Sequence, residues 1–452
     1  MAVEARTQRA FTEAFAGEVI LPRDAGYDAA RVVWNGMIDR RPALIVRPTG
    51  AADVMTAVRL ARKEQLPIAV RSGGHSIPGF STCDDGIVID LSRLRGVRVD
   101  PERRVAQVSG GSLLGDLDHE AQAFGLVCPV GVISHTGAAG LTLGGGMGRL
   151  QRRFGLTIDN LLAADVVTAD GRLVRAGEDE NADLLWGLRG AGANFGIATS
   201  LEYRLHPLDR VITHGAVLHP VDRANELAAL YRDAVENGPD ELWLSFGLGV
   251  DEAREPIAYV GALHSGPLAD ADRDLARLRA FGPPAAGSFD AKPYLSTQTM
   301  NDEAMRWGHR FYMKSAFLPG LPDEVVDRLA AHLSNLPDGA EGEFSAWSMG
   351  RAVAAVPEDA TAYTGREAAI WLAAEILWDD ESLDGRCREW ARAALADVQP
   401  LAITGRYVND VAEAGSDVVR SVYGEAKYEK LRDLKRAWDP DNVFRLNQNI
   451  QP

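Results

Sequence analysis

The feature that most constrains this chain is the loop at residues 70–80, Val-Arg-Ser-Gly-Gly-His-Ser-Ile-Pro-Gly-Phe. The apolar run Leu66-Pro67-Ile68-Ala69-Val70 leads into it, and the strand-like run Gly86-Ile87-Val88-Ile89-Asp90-Leu91 follows. A glycine-rich loop between two strands lets backbone N–H groups approach an anion closely, because no Cβ intervenes. His75 projects from this loop beside whatever the backbone cradles. The alternative reading is a turn histidine that solvates a loop end.

A second glycine-rich window spans residues 131–160 and holds eight glycines. It contains Ser134-His135-Thr136-Gly137-Ala138-Ala139-Gly140-Leu141-Thr142-Leu143-Gly144-Gly145-Gly146-Met147-Gly148. Such a backbone is able to wrap a flat, phosphate-bearing ligand. A nicotinamide-dinucleotide fingerprint needs G-x-G-x-x-G opening a helix after a strand. Here the run from Gly144 ends in Arg149 and fails at the last position. A third stretch, residues 184–197, includes Asn194, Gly196 and Ile197, but its glycines follow a helix-like run rather than a strand.

Composition sets the outer limits. With 452 residues, 46% of them hydrophobic, the chain has length for two domains and ample core. A net charge of −16 argues against nucleic acid and anionic membrane as partners. Residues 1–18 mix Glu and Arg without an apolar core, so no signal peptide is expected, and no apolar run reaches membrane-spanning length. Cys83, Cys128 and Cys387 have neither disulfide-framework nor metal spacing. The expectation is a soluble, cytoplasmic protein without a bound metal.

The segment Arg71-Ser72-Gly73-Gly74-His75-Ser76 resembles the flavin-attachment loop of the vanillyl-alcohol-oxidase superfamily. More narrowly, the chain resembles the berberine-bridge-enzyme-like oxidases, including their 6-hydroxynicotine-oxidase branch. The three glycine stretches occur in the order found in that family, and the closing segment, residues 442–450 with Asn447 and Asn449, is also similar. The resemblance implies FAD as cofactor, bonded through its 8α-methyl to His75. It implies further FAD contacts from Arg71 to Ser76, from Thr136, Gly137 and Gly140, from Gly144, Gly145, Gly146 and Gly148, and from Asn194, Gly196, Ile197, Asn447 and Asn449. Many relatives carry a second, cysteinyl link eleven residues before the triple glycine. That position is Ile133 here, so one covalent link is expected.

The implied fold is α+β: a two-lobed FAD-binding domain of the PCMH type, and a substrate domain with a large antiparallel sheet covered by helices. The expected boundaries are 1–206 with 412–452 for the first and 207–411 for the second. Strand patterns at 215–221, 241–250, 256–263, 311–318 and 343–349, and helical patterns at 269–281, 323–336 and 383–398, fit the second. The apolar run 368–378 reads as a central strand, and 426–438 as a terminal helix. Ser112 is the expected N-cap of a helix reaching Gly125, with His119 on a solvated face.

Flavin oxidases need the protein to orient substrate and move a proton. The acid that several relatives carry aligns with Ala354 or Ala355, so no carboxylate base is inherited there, and Arg351 replaces a family glycine. Tyr407, in Arg406-Tyr407-Val408-Asn409-Asp410, resembles a Tyr-x-Asn segment that reaches the flavin. Tyr407 and Asn409 are therefore catalytic candidates, with a hydrogen-bonded core tyrosine as the other reading. His135 either faces substrate or bonds structurally. The resemblance implies an oxidase that acts on a C–O or C–N bond of a small organic molecule and reduces O2 to H2O2. Thr136, at the family's oxygen-gate position and close to valine in size, favours oxygen access. A flavin dehydrogenase with another acceptor, and an isomerase or cyclase on the same scaffold, stand as alternatives.

Overall fold

A computed structural model describes residues 15–413 and 415–452. The reading of residues 1–18 as lacking a signal peptide therefore lies almost wholly outside the described residues.

The first lobe is a four-stranded sheet in the spatial order Glu18–Ile20, Leu44–Arg47, Ile87–Asp90, Ile68–Arg71. The last three strands are parallel. Parallel neighbours need a crossover, and helix Ala51–Lys63 supplies it. Its apolar stripe Val54, Ala57, Val58 and Ala61 is buried against Leu44, Val46, Ile87 and Ile89. Asp53 secures the entry to this helix, accepting from the Thr49 backbone N–H at 3.0 Å and the Ala16 N–H at 2.9 Å.

The second lobe is a five-stranded antiparallel sheet ordered Val97–Asp100, Val105–Ser109, Ile197–Arg204, Leu161–Val167, Leu173–Gly177. The helix after Ser109 spans Leu114–Gln122 and is not capped by Ser112. Ser112 Oγ is drawn instead to the backbone of Gly96, while Asp116 accepts from the Leu113 N–H. His119 is exposed as expected. Its neighbour Asp118 is buried, accepts from Tyr294 and Gln298, and is pushed up to about 7 by burial.

The third unit is a seven-stranded antiparallel sheet ordered Ala286–Pro293, Val211–Pro220, Pro256–His264, Leu242–Val250, Ala340–Ser348, Ile370–Trp378, Arg310–Leu318. Alternation divides its faces. Phe344, Ala346, Leu372, Ala374 and Ile376 pack with helices Ala224–Asn237, Asp323–Leu333 and Asp384–Val398. Met313, Trp371 and Ala373 lie on the opposite face. The run expected as a central strand lies next to the edge strand Arg310–Leu318. The helix expected over 269–281 is two short ones, Leu268–Asp274 and Ala276–Arg279. The edge strand Ala286–Pro293 and helix Ala224–Asn237 carry no expectation from sequence.

The terminal helix starts earlier than its apolar pattern, at Ser416, and runs to Trp438 with a break at Gly424, whose φ is +70°. Its last turn holds the chain end to the second lobe. Lys435, wholly buried, donates to Asp439 at 2.7 Å, to Asn194 O at 2.8 Å and to Phe444 O at 2.9 Å. Asp439 also accepts from the Val443 and Phe444 N–H groups. Burial holds the Lys435 ammonium below its ordinary pKa, opposed by Asp439. Removing one partner of such a pair leaves an uncompensated buried charge. Lys435→Met is expected to lower stability by about 3–5 kcal/mol. Thermal unfolding of the purified protein measures it, and a melting temperature equal to wild type would refute the assignment.

Candidate active site

The three units meet around one cavity of about 440 Å3, walled by the glycine loops on one side and the large sheet on the other. The loop wall rests on a backbone-to-backbone contact. A Cβ on Gly73 would lie 2.1 Å from Gly137 N, and one on Gly137 would lie 2.2 Å from Gly73 N. Only glycine permits this approach from both sides. Ser72 adds a bond from its Oγ to Gly110 O at 2.7 Å.

His75 sits in the wall these loops make. Trp34 stacks on its ring with centroids 4.8 Å apart, and Trp307 meets it edge-on at 6.4 Å. Its Nε2 lies 2.7 Å from His135 Nδ1. Burial and the neighbouring imidazole push His75 down to about 3, so it is neutral at physiological pH. His135 is not among the residues that line the cavity; it is half-buried and its ring meets that of His75, with centroids 4.7 Å apart.

The expected cofactor residues divide into two groups. Ser72 to Ser76, Thr136, Gly137, Gly140, Gly144, Asn194, Gly196, Ile197 and Asn447 line the cavity. Arg71, Gly145, Gly146, Gly148 and Asn449 do not. Arg71 turns inward to Asp90 at 2.8 Å and to the carbonyls of Ala30 and Val32, fixing the strand that carries the loop. The glycines after Gly144 make room for protein: Cβ atoms there would strike the Tyr363 ring, Thr157 and Val130 O. The cavity fits a dinucleotide with its own hydrogen-bond donors. Asn447 Oδ1 and Gln448 Oε1 are buried in side chains that line it and have no partner in the protein. Gly140 also lines it, with open space where a Cβ would stand.

On the facing side, Tyr407 is buried, and its hydroxyl accepts from Asn409 Nδ2 at 2.9 Å and from Gly146 N at 3.1 Å. Burial, ahead of the Asp410 charge, pushes it up to about 12, so it keeps its proton. Asn409 also donates to Leu141 O at 3.0 Å. A Cβ on Gly144 would fall 2.1 Å from Asn409 Oδ1, which explains the glycine there.

The sequence reading missed the carboxyl groups. Glu343 and Glu375 are paired directly across neighbouring strands and both line the cavity. Tyr259, whose ring lies over Gly247, donates to Glu343 at 3.1 Å, and Ser345 donates to Glu375 at 3.1 Å. Asp410, next to the Tyr-x-Asn segment, accepts from Trp371 Nε1 at 2.9 Å and is pushed up to about 7 by burial. Among the described residues none of the three acids has a Lys or Arg ion-pair partner. Desolvation therefore raises both glutamates, and the neighbouring acids raise Glu375 further. The signal was a lone charge in the apolar run 368–378, and an acid alternating with Ser345 and Trp347. Ala354 and Ala355 belong instead to a short helix, Ala352–Ala355. Arg351 donates to the carbonyls of Glu236 and Gly238 at 2.8 Å each and does not line the cavity.

Among the described residues no cluster of His, Cys, Asp and Glu could hold a metal ion, and no helix is long and apolar enough to cross a membrane. All three cysteines are free and buried.

Comparison with known proteins agrees with this geometry. The family described as FAD binding domain matches residues 42–177, and the family described as berberine and berberine like matches residues 406–451. (R)-6-hydroxynicotine oxidase of Paenarthrobacter nicotinovorans is 34% identical over 96% of this chain and 97% of its own. The crystal structure of 6-hydroxy-D-nicotine oxidase from Arthrobacter nicotinovorans superposes with a TM-score of 0.90 at 33% identity, covering 97% of this chain and 98% of that one. Glucooligosaccharide oxidase from Acremonium strictum, described with a 6-S-cysteinyl, 8α-N1-histidyl FAD, has the same fold, with a TM-score of 0.88 at 24% identity over 99% of each chain. The chain thus carries an FAD-binding domain and belongs to the berberine-bridge-like family of FAD-linked oxidoreductases.

Proposed function

We propose that this enzyme is an oxidase with FAD bonded to His75 alone, oxidising a C–O or C–N bond of a small organic substrate and passing the electrons to O2 as H2O2. The observation that carries the reading is the placement of one cavity between a neutral, stacked His75 and a carboxyl pair without a counter-cation. Bound FAD supplies the hydride acceptor. Oxidising an alcohol or amine also releases a proton, and the chain must receive it. Tyr407, held protonated and already accepting from two N–H groups, suits hydrogen-bond donation to substrate better than proton abstraction. Glu343 and Glu375 are the better acceptors. Two adjacent carboxyls do not both ionise readily, so the pair retains one proton and its ionised member takes the substrate's. Trp347 and Trp371, 4.8 Å apart, form an apolar wall beside the pair and restrict water. With Cys128 fully buried and Ile133 in the wall, no thiol is placed for a second link.

Two outcomes are expected. Acid precipitation of wild type should leave yellow flavin on the peptide containing His75, while His75→Ala should release all of it. Flavin wholly in the wild-type supernatant would refute the link. The second concerns Glu375→Gln. With a substrate found by screening for H2O2, flavin reduction should slow by about 10²–10⁴. Stability should move the other way. The folded-state pKa of Glu375 lies above its unfolded value, so the folded state binds the extra proton. Stability is therefore lost as pH rises from the ordinary carboxylate range toward that raised value. Removing the acid should raise the melting temperature by about 2 °C at pH 8 and less at pH 5. Unchanged reduction rates would take Glu375 out of the proton path.

A further inference from the structure

We propose that the chain carries a second, buried ligand site that takes a small carboxylate anion between the loop after the triple glycine and the large sheet. Arg149 supplies its charge, and Thr297 and His214 stand beside it. Arg149 is the residue that ends the glycine run where a dinucleotide fingerprint needs glycine. It does not line the cavity that His75 walls. Only 7% exposed, it has one hydrogen bond in the protein, a long one from Nη1 to Thr297 O at 3.3 Å. Among the described residues no carboxylate pairs with it, and its Nε and Nη2 have no partner.

The groups around this cation are donors without acceptors. Thr297 is 1% exposed, and its Oγ1 has no partner in the protein. His214 is 5% exposed, and neither of its ring nitrogens makes a hydrogen bond among the described residues. It stands opposite Leu263, which in turn stands opposite Trp243, in one row across the large sheet. Leu263 and Trp243 pack with Leu150 and Tyr294, so the row faces the loop that carries Arg149. Trp243 Nε1, a donor only, is buried and also without a partner. Burial, and then the Arg149 and Lys292 charges, push His214 down to about 3, so it is neutral and offers one N–H. Lys292 is half-buried and lies opposite Ile212, on the sheet face that His214 shares. Two acids lie near without pairing with Arg149. Asp118 accepts from Tyr294, and Asp290, exposed on the edge strand opposite His214, accepts from Ser288.

Burial lowers Arg149 only to about 10, so the guanidinium keeps its charge at neutral pH. A buried charge with neither a counter-ion nor a full set of hydrogen bonds opposes folding, and its retention calls for a ligand of opposite sign. The free Nε–Nη2 edge is a planar fork that matches the two oxygens of a carboxylate. Those oxygens also have lone pairs for the Thr297 hydroxyl and the His214 N–H. Leu150, Ile212 and Leu263 beside the cluster suit a short alkyl tail better than a hydrated ion.

The test is calorimetric titration of the full-length holoenzyme with acetate, in a bulky sulfonate buffer at fixed ionic strength and without substrate. Wild type should bind one acetate per chain saturably, and its melting temperature should climb with acetate concentration. Arg149→Met should bind at least about tenfold more weakly, having lost a charge-assisted fork. Thr297→Val, which removes one hydroxyl and keeps the shape, should bind about two- to tenfold more weakly. In acetate-free buffer Arg149→Met should melt no lower than wild type, because the lost charge has no counter-ion in the protein. Absence of saturable binding in wild type, undiminished binding in Arg149→Met, or chloride binding as tight as acetate would each overturn the proposal. So would an Arg149→Met protein that melts well below wild type without acetate, since the guanidinium would then be held by the protein itself. None of these outcomes bears on the oxidase reading, because no turnover is measured.

Discussion

The site depends on one contact, the meeting of two backbones at Gly73 and Gly137. These residues belong to different lobes, one on the loop after a parallel strand, the other before a short helix. A single added Cβ on either would sit within about van der Waals overlap of the other backbone. Because the loops touch, His75 is carried against His135, and the cavity acquires a continuous floor. Neighbouring interactions serve this contact. Arg71 locks the end of its strand through Asp90, and Ser72 ties the loop to Gly110. Side chains with formal charge are thus spent beneath the floor, while the floor itself is backbone and small residues.

The opposite wall follows a different rule. A sheet faced on one side by helices and on the other by a cavity can change its cavity-facing residues without disturbing its core, because alternate positions point apart. Glu343, Ser345 and Trp347 are such positions, and Phe344 and Ala346 between them carry the packing. Desolvating acids in a cavity without counter-cations opposes folding. The protein tolerates it through the donors Tyr259, Ser345 and Trp371 and through retained protons. A group that costs stability and serves no packing is where function is to be sought.

What the sequence disclosed follows from this division. The FAD-binding lobes were legible because their constraints are local: glycines that no other residue replaces, in short runs, with His75 among them. Even there the reading overreached where glycines serve protein packing, as at Gly145, Gly146 and Gly148, and where Arg71 binds Asp90 instead of ligand. The sheet was legible as strands but not as a site. Glu343 and Glu375 meet only through the register of two strands distant in sequence, and no local pattern encodes that pairing. His135 was visible as a candidate, but its partner was not, since the contact is made by the same loop meeting that joins Gly73 to Gly137.

The two walls differ in how freely their residues can change. The loop wall is constrained for a physical reason: Gly73 and Gly137 approach each other closely, and any larger side chain there moves the loops apart. The sheet wall has no such restriction. Its cavity-facing positions tolerate acids, indoles, serine and methionine on an unchanged ladder. Substrate choice is therefore expected to reside in those alternating positions, and the carboxyl pair, set among Trp347, Trp371 and Tyr407, gives this enzyme a wall of negative potential bounded by aromatic faces. Such a wall favours substrates that bring positive charge or donate hydrogen bonds.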